Sequence, residues 1–248
     1  MVAMRIVLAV VFIGGLFFSP VLAVGILDLP QPGQVKCYNT VDPFGEVPCA
    51  GTGQDGEYLA GVSWPSRRFA VGGDCVTDNL TGLMWPVNAN LPGGPLTWND
   101  AIDFSMNLTL CGYSDWRLAN VIELESLVDL SRVSPSLPTD HPFVGVRAAP
   151  YWSSTAFPIG SDVRFVSFND GGIGQEDGSP YFAKQNYVWP VRTAMSGPEV
   201  PARPWRTGQT VSRRPGDDGD LQAGVPWPEP RFSETAEGLI TDNLTGLM

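Results

Sequence analysis

TDNLTGLM, Thr77 to Met84, decides how this chain is read, because the same eight residues return at Thr241 to Met248. At its centre Asp78-Asn79-Leu80-Thr81-Gly82 gathers turn formers between apolar flanks, which predicts strand, turn, strand over Val76 to Trp85. Asn79-Leu80-Thr81 also spells a glycosylation sequon, but Asn and Thr are what a tight turn requires. The likeness runs backwards: GQDGEYLAGVSWPSRRF (Gly53 to Phe69) aligns with GDDGDLQAGVPWPEPRF (Gly216 to Phe232), with ten of seventeen positions identical. Further upstream, Gly33-Gln34 pairs with Gly208-Gln209, so the first copy holds a twelve-residue insertion between Gln34 and Gly53. A unit of about 160 residues exceeds a solenoid repeat and suits a duplicated globular domain. One complete domain and a truncated second copy are expected. The tail from about Thr207 to Met248 is too short to bury a core alone and is expected to be mobile.

Outward from the hairpin, LTWNDAIDFSMNL predicts a helix. Thr97 is the N-cap, Asp100 stands three residues on, and Trp98, Ala101, Ile102, Ser105 and Leu108 share a face. NVIELESLVDLSR repeats the pattern, with Asn120 as cap, Glu123 at the third position, and Leu124, Leu127 and Val128 as the buried stripe. Strand-like pieces follow at Tyr151 to Thr155, Val163 to Phe168 and Tyr187 to Arg192. Asn169-Asp170-Gly171-Gly172 turns the chain between the last two. A strand, two helices and then several strands make an α+β domain. Beyond Arg192 the Pro-, Gly- and charge-rich stretch has no period and reads as a linker.

The N-terminus reads as a secretory signal peptide, with Arg5 before the apolar run Ile6 to Phe18 and small residues up to Ala23. Export to the periplasm, the cell surface or the medium is expected, with no membrane insertion after cleavage. Loss of residues 1–23 leaves 14 Lys+Arg against 26 Asp+Glu, a net charge of −12. Such a surface repels phosphate backbones and excludes nucleic acid as a partner. Export also lets the four cysteines be read as disulfides. Cys37 and Cys49 lie in or beside the inserted stretch and are expected to pair, which leaves Cys75 for Cys111. The expected organisation is a signal peptide over 1–23, a disulfide lobe over 24–52 and the complete domain over 53–194. A linker over 195–215 and an incomplete second copy over 216–248 follow.

DNLTGLMW, TWNDAI, GYSDWRLAN with IELESLVD, YWSST, FVSFNDG and YVWPVR stand in that order. As a set they resemble the C-terminal domain family of the Legionella collagen-like adhesin, over about Gly33 to Arg192, and the tail restarts the pattern. The family usually has Pro where this chain has Ala119. The resemblance implies a C-type-lectin-like fold, related in layout to the formylglycine-generating enzymes. The adhesin's domain is associated with sulfated glycans, a ligand that the charge of −12 argues against here.

Trp116, Arg117 and Asn120 are expected to shape the start of the second helix, with Arg117 bonded to carbonyls or a carboxylate. Trp152 and Trp189 are expected in the core rather than as sugar platforms. His141, the one histidine, sits in a Pro-rich loop with no second base beside it in sequence, and no phosphate loop, zinc spacing or nucleophile elbow appears. The acid pairs Glu123/Glu125 and Glu176/Asp177 read as residues of solvated faces rather than glycosidase acids.

The expectation is therefore an exported binding module without catalysis, recognising a neutral glycan or a cell-surface partner. A structural spacer repeat is the alternative, and a glycoside hydrolase a distant third. For a site, the loop Asn169 to Asn186 gathers Asp170, Glu176 and Asp177, with Tyr181 and Phe182 close behind. Carboxylates on flexible backbone suit calcium, the one cofactor considered, and the aromatics suit a sugar face.

Overall fold

The computed structural model describes residues 25–179 and 183–248; the expected signal peptide lies outside them. The chain forms two compact units. The larger, Leu29–Pro226, opens with β1 (Cys37–Tyr38), β2 (Glu46–Val47) and the short helix α1 (Asp55–Tyr58). Next come β3 (Phe69–Gly72), β4 (Cys75–Asp78), β5 (Leu83–Pro86), α2 (Trp98–Met106), β6 (Arg117–Leu118) and α3 (Val121–Glu125). After these stand β7 (Pro150–Ala156), β8 (Asp162–Ser167), β9 (Ile173–Asp177), β10 (Pro190–Thr193) and α4 (Asp218–Leu221). A five-stranded sheet runs β3-β4-β5-β10-β6, a three-stranded one β7-β8-β9, and β1 pairs with β2. Every pairing between these strands is antiparallel, so the domain is α+β.

The predicted strand, turn, strand over 76–85 is β4 and β5, with Cys75 opposite Pro86 and Thr77 opposite Met84. The turn forms because Asp78 Oδ1 accepts from the Leu80 N–H at 3.0 Å, as turn-initiating Asp residues do. Asn79 spends its side-chain amide on the Arg67 carbonyl. Arg68, buried, is forked onto the Asp78 carboxylate and also reaches the Ser126 carbonyl, which ties the hairpin to the end of α3. Both disulfides are those expected, Cys37–Cys49 and Cys75–Cys111.

Both helices start where their caps stand. The Thr97 side chain accepts from the Asp100 N–H; at α3 Asn120 and Glu123 form a full capping box. The α-helical part of α3 is shorter than the apolar stripe suggested, because beyond Glu125 the chain tightens into i→i+3 turns. Leu124, Leu127 and Val128 are nevertheless buried as predicted.

The core centres on Trp189, whose ring meets Trp85 at 5.8 Å, Phe143 at 4.7 Å and Phe168 at 5.4 Å. A second cluster joins Trp98, Ile102, Leu118, Trp152 and Val163. Its indoles are satisfied: Trp152 donates to the Leu96 carbonyl and Trp98 to that of Ser153. Trp152 and Trp189 are thus core residues.

The sequence reading needs three corrections. Ile173–Asp177, read as part of a loop, is a strand paired with β8. Its residues are half exposed and largely polar, so no apolar alternation marked it. Glu123, read as solvated, is 1% exposed and fully bonded. The stretch 204–226, read as free linker and mobile tail, is hydrogen-bonded into the larger unit, with Asp217 and Asp218 buried.

Among the described residues, the smaller unit holds Trp227–Met248 and residues 25–28. In it β11 (Phe232–Glu234) pairs with β12 (Ile240–Asp242), and the Ile26 and Leu27 N–H groups both donate to the Leu244 carbonyl. Arg231 meets Asp242 as Arg68 meets Asp78, and the Leu244 N–H donates to Asp242 as Leu80 does to Asp78.

Candidate functional site

The GYSDWRLAN motif builds a polar joint around one buried carboxylate. β6 delivers Arg117 and α3 delivers Glu123, and the two meet in a bidentate pair with both distances 2.6 Å. Glu123 also accepts from the Asn120 N–H at 2.9 Å, while Asn120 Oδ1 accepts from the Glu123 N–H. Burial alone would lower the Arg117 pKa, but the facing carboxylate outweighs it and the pKa is raised. Trp116 is buried and donates to the Leu110 carbonyl. These residues position α3; the Arg117 and Glu123 side chains are committed to each other, and the Asn120 side-chain amide donates to the Ala223 carbonyl. His141 is likewise occupied: its Nδ1 accepts from the Phe143 N–H, and burial lowers its pKa.

The structure does not assemble the acidic loop into one site. Asp170 lies in the turn between β8 and β9, accepting from the Gly172 N–H, and that bond lowers its pKa. β9 then runs away from the turn, so that Asp177 stands opposite Asp162. Asp170 and Asp177 are held at opposite ends of the hairpin, roughly 15 Å apart by strand rise. Glu176 and Asp177, adjacent on a strand, point to opposite faces. Glu176 accepts from Asn186 at 3.1 Å, and Asp177 from the Ser179 N–H at 2.8 Å. Among the described residues no group of three His, Cys, Asp or Glu could hold a metal ion. Tyr181 and Phe182 lie outside the described residues.

A concave feature does lie against α3. A cleft of about 250 Å³ has Ile122, Glu125 and Val128 on one side. Pro30 and Pro32 come from one arm of the chain, Pro204 and Trp205 from another. The arms are equivalent by the repeat: Pro30 bridges to Val62 and Trp205 to Val225, both parallel. Rigid prolines and an indole give the cleft stiff apolar walls, with Gln31, Glu125, Ser126 and Arg203 as its polar residues. Glu125 is exposed, yet partial desolvation of its carboxyl raises its pKa. Sequence reasoning missed this place, because Trp205 fell in the supposed linker. Its only signal was its alignment with Pro30. A second cavity, about 310 Å³, touches Glu123, whose carboxylate is already committed to Arg117 and the Asn120 N–H.

Among the described residues no helix is long and apolar enough to cross a membrane. No curated protein matches the chain. Residues 74–192 match the model of the Lcl C-terminal domain, from the acid before Cys75 to Arg192 on β10. With its capped helices and the Arg117–Glu123 joint inside that span, the segment 74–192 is a member of the Lcl C-terminal domain family.

Proposed function

We propose that the chain is an exported, non-catalytic binding module, C-type-lectin-like in fold, whose ligand is a neutral glycan or a similar molecule with one apolar face. The cleft against α3 carries this reading. Trp205 and the prolines offer an apolar wall, and the Glu125 carboxyl offers an acceptor for hydroxyls. Family membership supports a binding role, and two disulfides suit an oxidising compartment. The net charge of −11 disfavours sulfated polymers as the ligand. A neutral-glycan array and calorimetry on the full chain test the proposal. Trp205→Ala and Glu125→Gln are each expected to weaken binding about tenfold or more, by analogy with losing one stacked or bonded contact. If native chain binds no array member, or both variants bind as well as native, the cleft is not the site.

A structural spacer is the second reading, favoured by the recurrence of the Arg68–Asp78 hairpin at Arg231–Asp242. On this reading residues 216–248 are an incomplete second copy of the domain. An array without hits, together with unchanged stability in every cleft variant, would favour it.

A further inference from the structure

Two segments of the larger unit fold alike. In each a Gln stands near the start, at Gln34 or Gln209, and donates its amide to the carbonyl two residues on. In each a glycine with positive φ leads into a short helix, Gly53 into α1 and Gly216 into α4. Both helices end on a left-handed residue, Leu59 at φ 47° and Gln222 at φ 45°. Both segments close by a parallel bridge, Pro30 to Val62 and Trp205 to Val225.

The second segment, 204–226, is held on the domain partly by Arg213, which donates to the Phe157 and Gly160 carbonyls, and Arg214, which reaches Asn99 and Asp103; the first segment has no counterpart of either arginine. Four further contacts seat it. Gln209 Oε1 accepts from the Ala156 N–H at 2.6 Å, and Asp218 accepts from the Thr155 hydroxyl at 2.9 Å. The Ala223 carbonyl accepts from the Asn120 amide at 3.3 Å, and Gly216 lies so close to Ile102 and Met106 that a Cβ there would clash. The first segment has the same residue at all four positions: Gln34, Asp55, Ala60 and Gly53. There the contacts are unmade. A Cβ on Gly53 would meet nothing within 4 Å, and Asp55 Oδ2 is buried with no hydrogen-bond partner. The intramolecular hydroxyl that Thr207 gives Asp218 is also missing, because Pro32 takes its place.

We propose that Gln34, Gly53, Asp55 and Ala60, on a segment anchored to its own domain through Pro32 and Leu130, form a clasp whose partner is the edge formed by Ile102, Asn120, Thr155 and Ala156 on a second copy of this chain. The docked segment 204–226 shows what such a clasp covers, with the same four residues. In the native chain that edge is held by its own 204–226, a tethered competitor whose effective concentration is in the millimolar range. Copies therefore join head to tail only where 204–226 has let go. This inference is independent of the ligand assigned to the cleft.

The test uses the full chain. Gly216→Val with Asp218→Ala unseats 204–226, and light scattering is expected to show the mass at least doubling while native chain stays monomeric. Adding Gly53→Val and Asp55→Ala to that variant is expected to return it to monomer. A benzophenone amino acid at Tyr58 in the unseated variant is expected to crosslink to the partner around Ile102, Asn120 and Thr155. A folded, unseated variant that stays monomeric overturns the proposal, as does association that survives the Gly53 and Asp55 changes. If the unseated variant loses its near-ultraviolet circular dichroism, Gln209→Ala replaces it and is read by the same outcomes.

Discussion

The Thr155 hydroxyl donates to the Asp218 carboxylate at 2.9 Å and accepts from the Val121 N–H at 3.0 Å. One side chain at the end of β7 therefore holds both the first turn of α3 and a segment more than sixty residues later. Thr155→Val removes donor and acceptor together, leaving the Val121 N–H without its partner and Asp218 with the Thr207 hydroxyl. A loss of about 1–3 kcal/mol is expected by chemical denaturation. Limited proteolysis is expected to cut the variant within 204–226 sooner than native chain; equal cutting would mean that other contacts hold the segment.

Asp218 makes the same joint depend on pH. Burial, its largest influence, raises its pKa above the ordinary 3.8, against the lowering effect of the Thr207 and Thr155 hydroxyls. The folded chain thus keeps a proton that the unfolded chain has released. This group's contribution to stability is complete below 3.8 and is lost as pH rises through the folded value. Asp218→Asn is expected to flatten that part of the melting-temperature profile. A profile identical to native would show that Asp218 does not titrate in this window.

Arg117 and Glu123 are expected to be strongly coupled. Arg117→Leu leaves a carboxylate that is 1% exposed without its cation, a loss of about 3–5 kcal/mol. Arg117→Leu combined with Glu123→Leu is expected to cost less than the two single changes added together. Simple additivity in the double-mutant cycle would refute the coupling.

The two disulfides differ in what they close. Cys75–Cys111 spans 36 residues and anchors the paired strand β4, whereas Cys37–Cys49 spans 12 within its lobe. Replacing Cys75 and Cys111 with Ser is expected to cost about 3–4 kcal/mol. Replacing Cys37 and Cys49 is expected to leave the main thermal transition nearly unchanged. A larger drop from the second pair would mean that the lobe supports the whole unit.

Calcium is expected to leave the melting temperature where it is, since Asp170 and Asp177 sit at opposite ends of the β8–β9 hairpin. Asp170→Ala is expected to lose only the turn bond to Gly172. A rise in melting temperature with calcium that Asp170→Ala abolishes would overturn this.

What the sequence determined by itself was local or carried by the repeat. Thr97 and Asn120 cap their helices because each bond spans three residues, and Asp78 shapes its turn for the same reason. The cysteine pairing was legible because the insertion isolates Cys37 and Cys49 from the second copy. Tertiary structure decided the rest. β9 exists through its pairing with β8 and not through its own propensity, and that register, invisible in composition, parts Asp170 from Asp177. The segment 204–226 has the composition of a linker, yet its order comes from Thr155, Ala156 and Asn120, far back in the chain. Such contacts stabilise the fold only after distant residues have met, so no local window of sequence can display them.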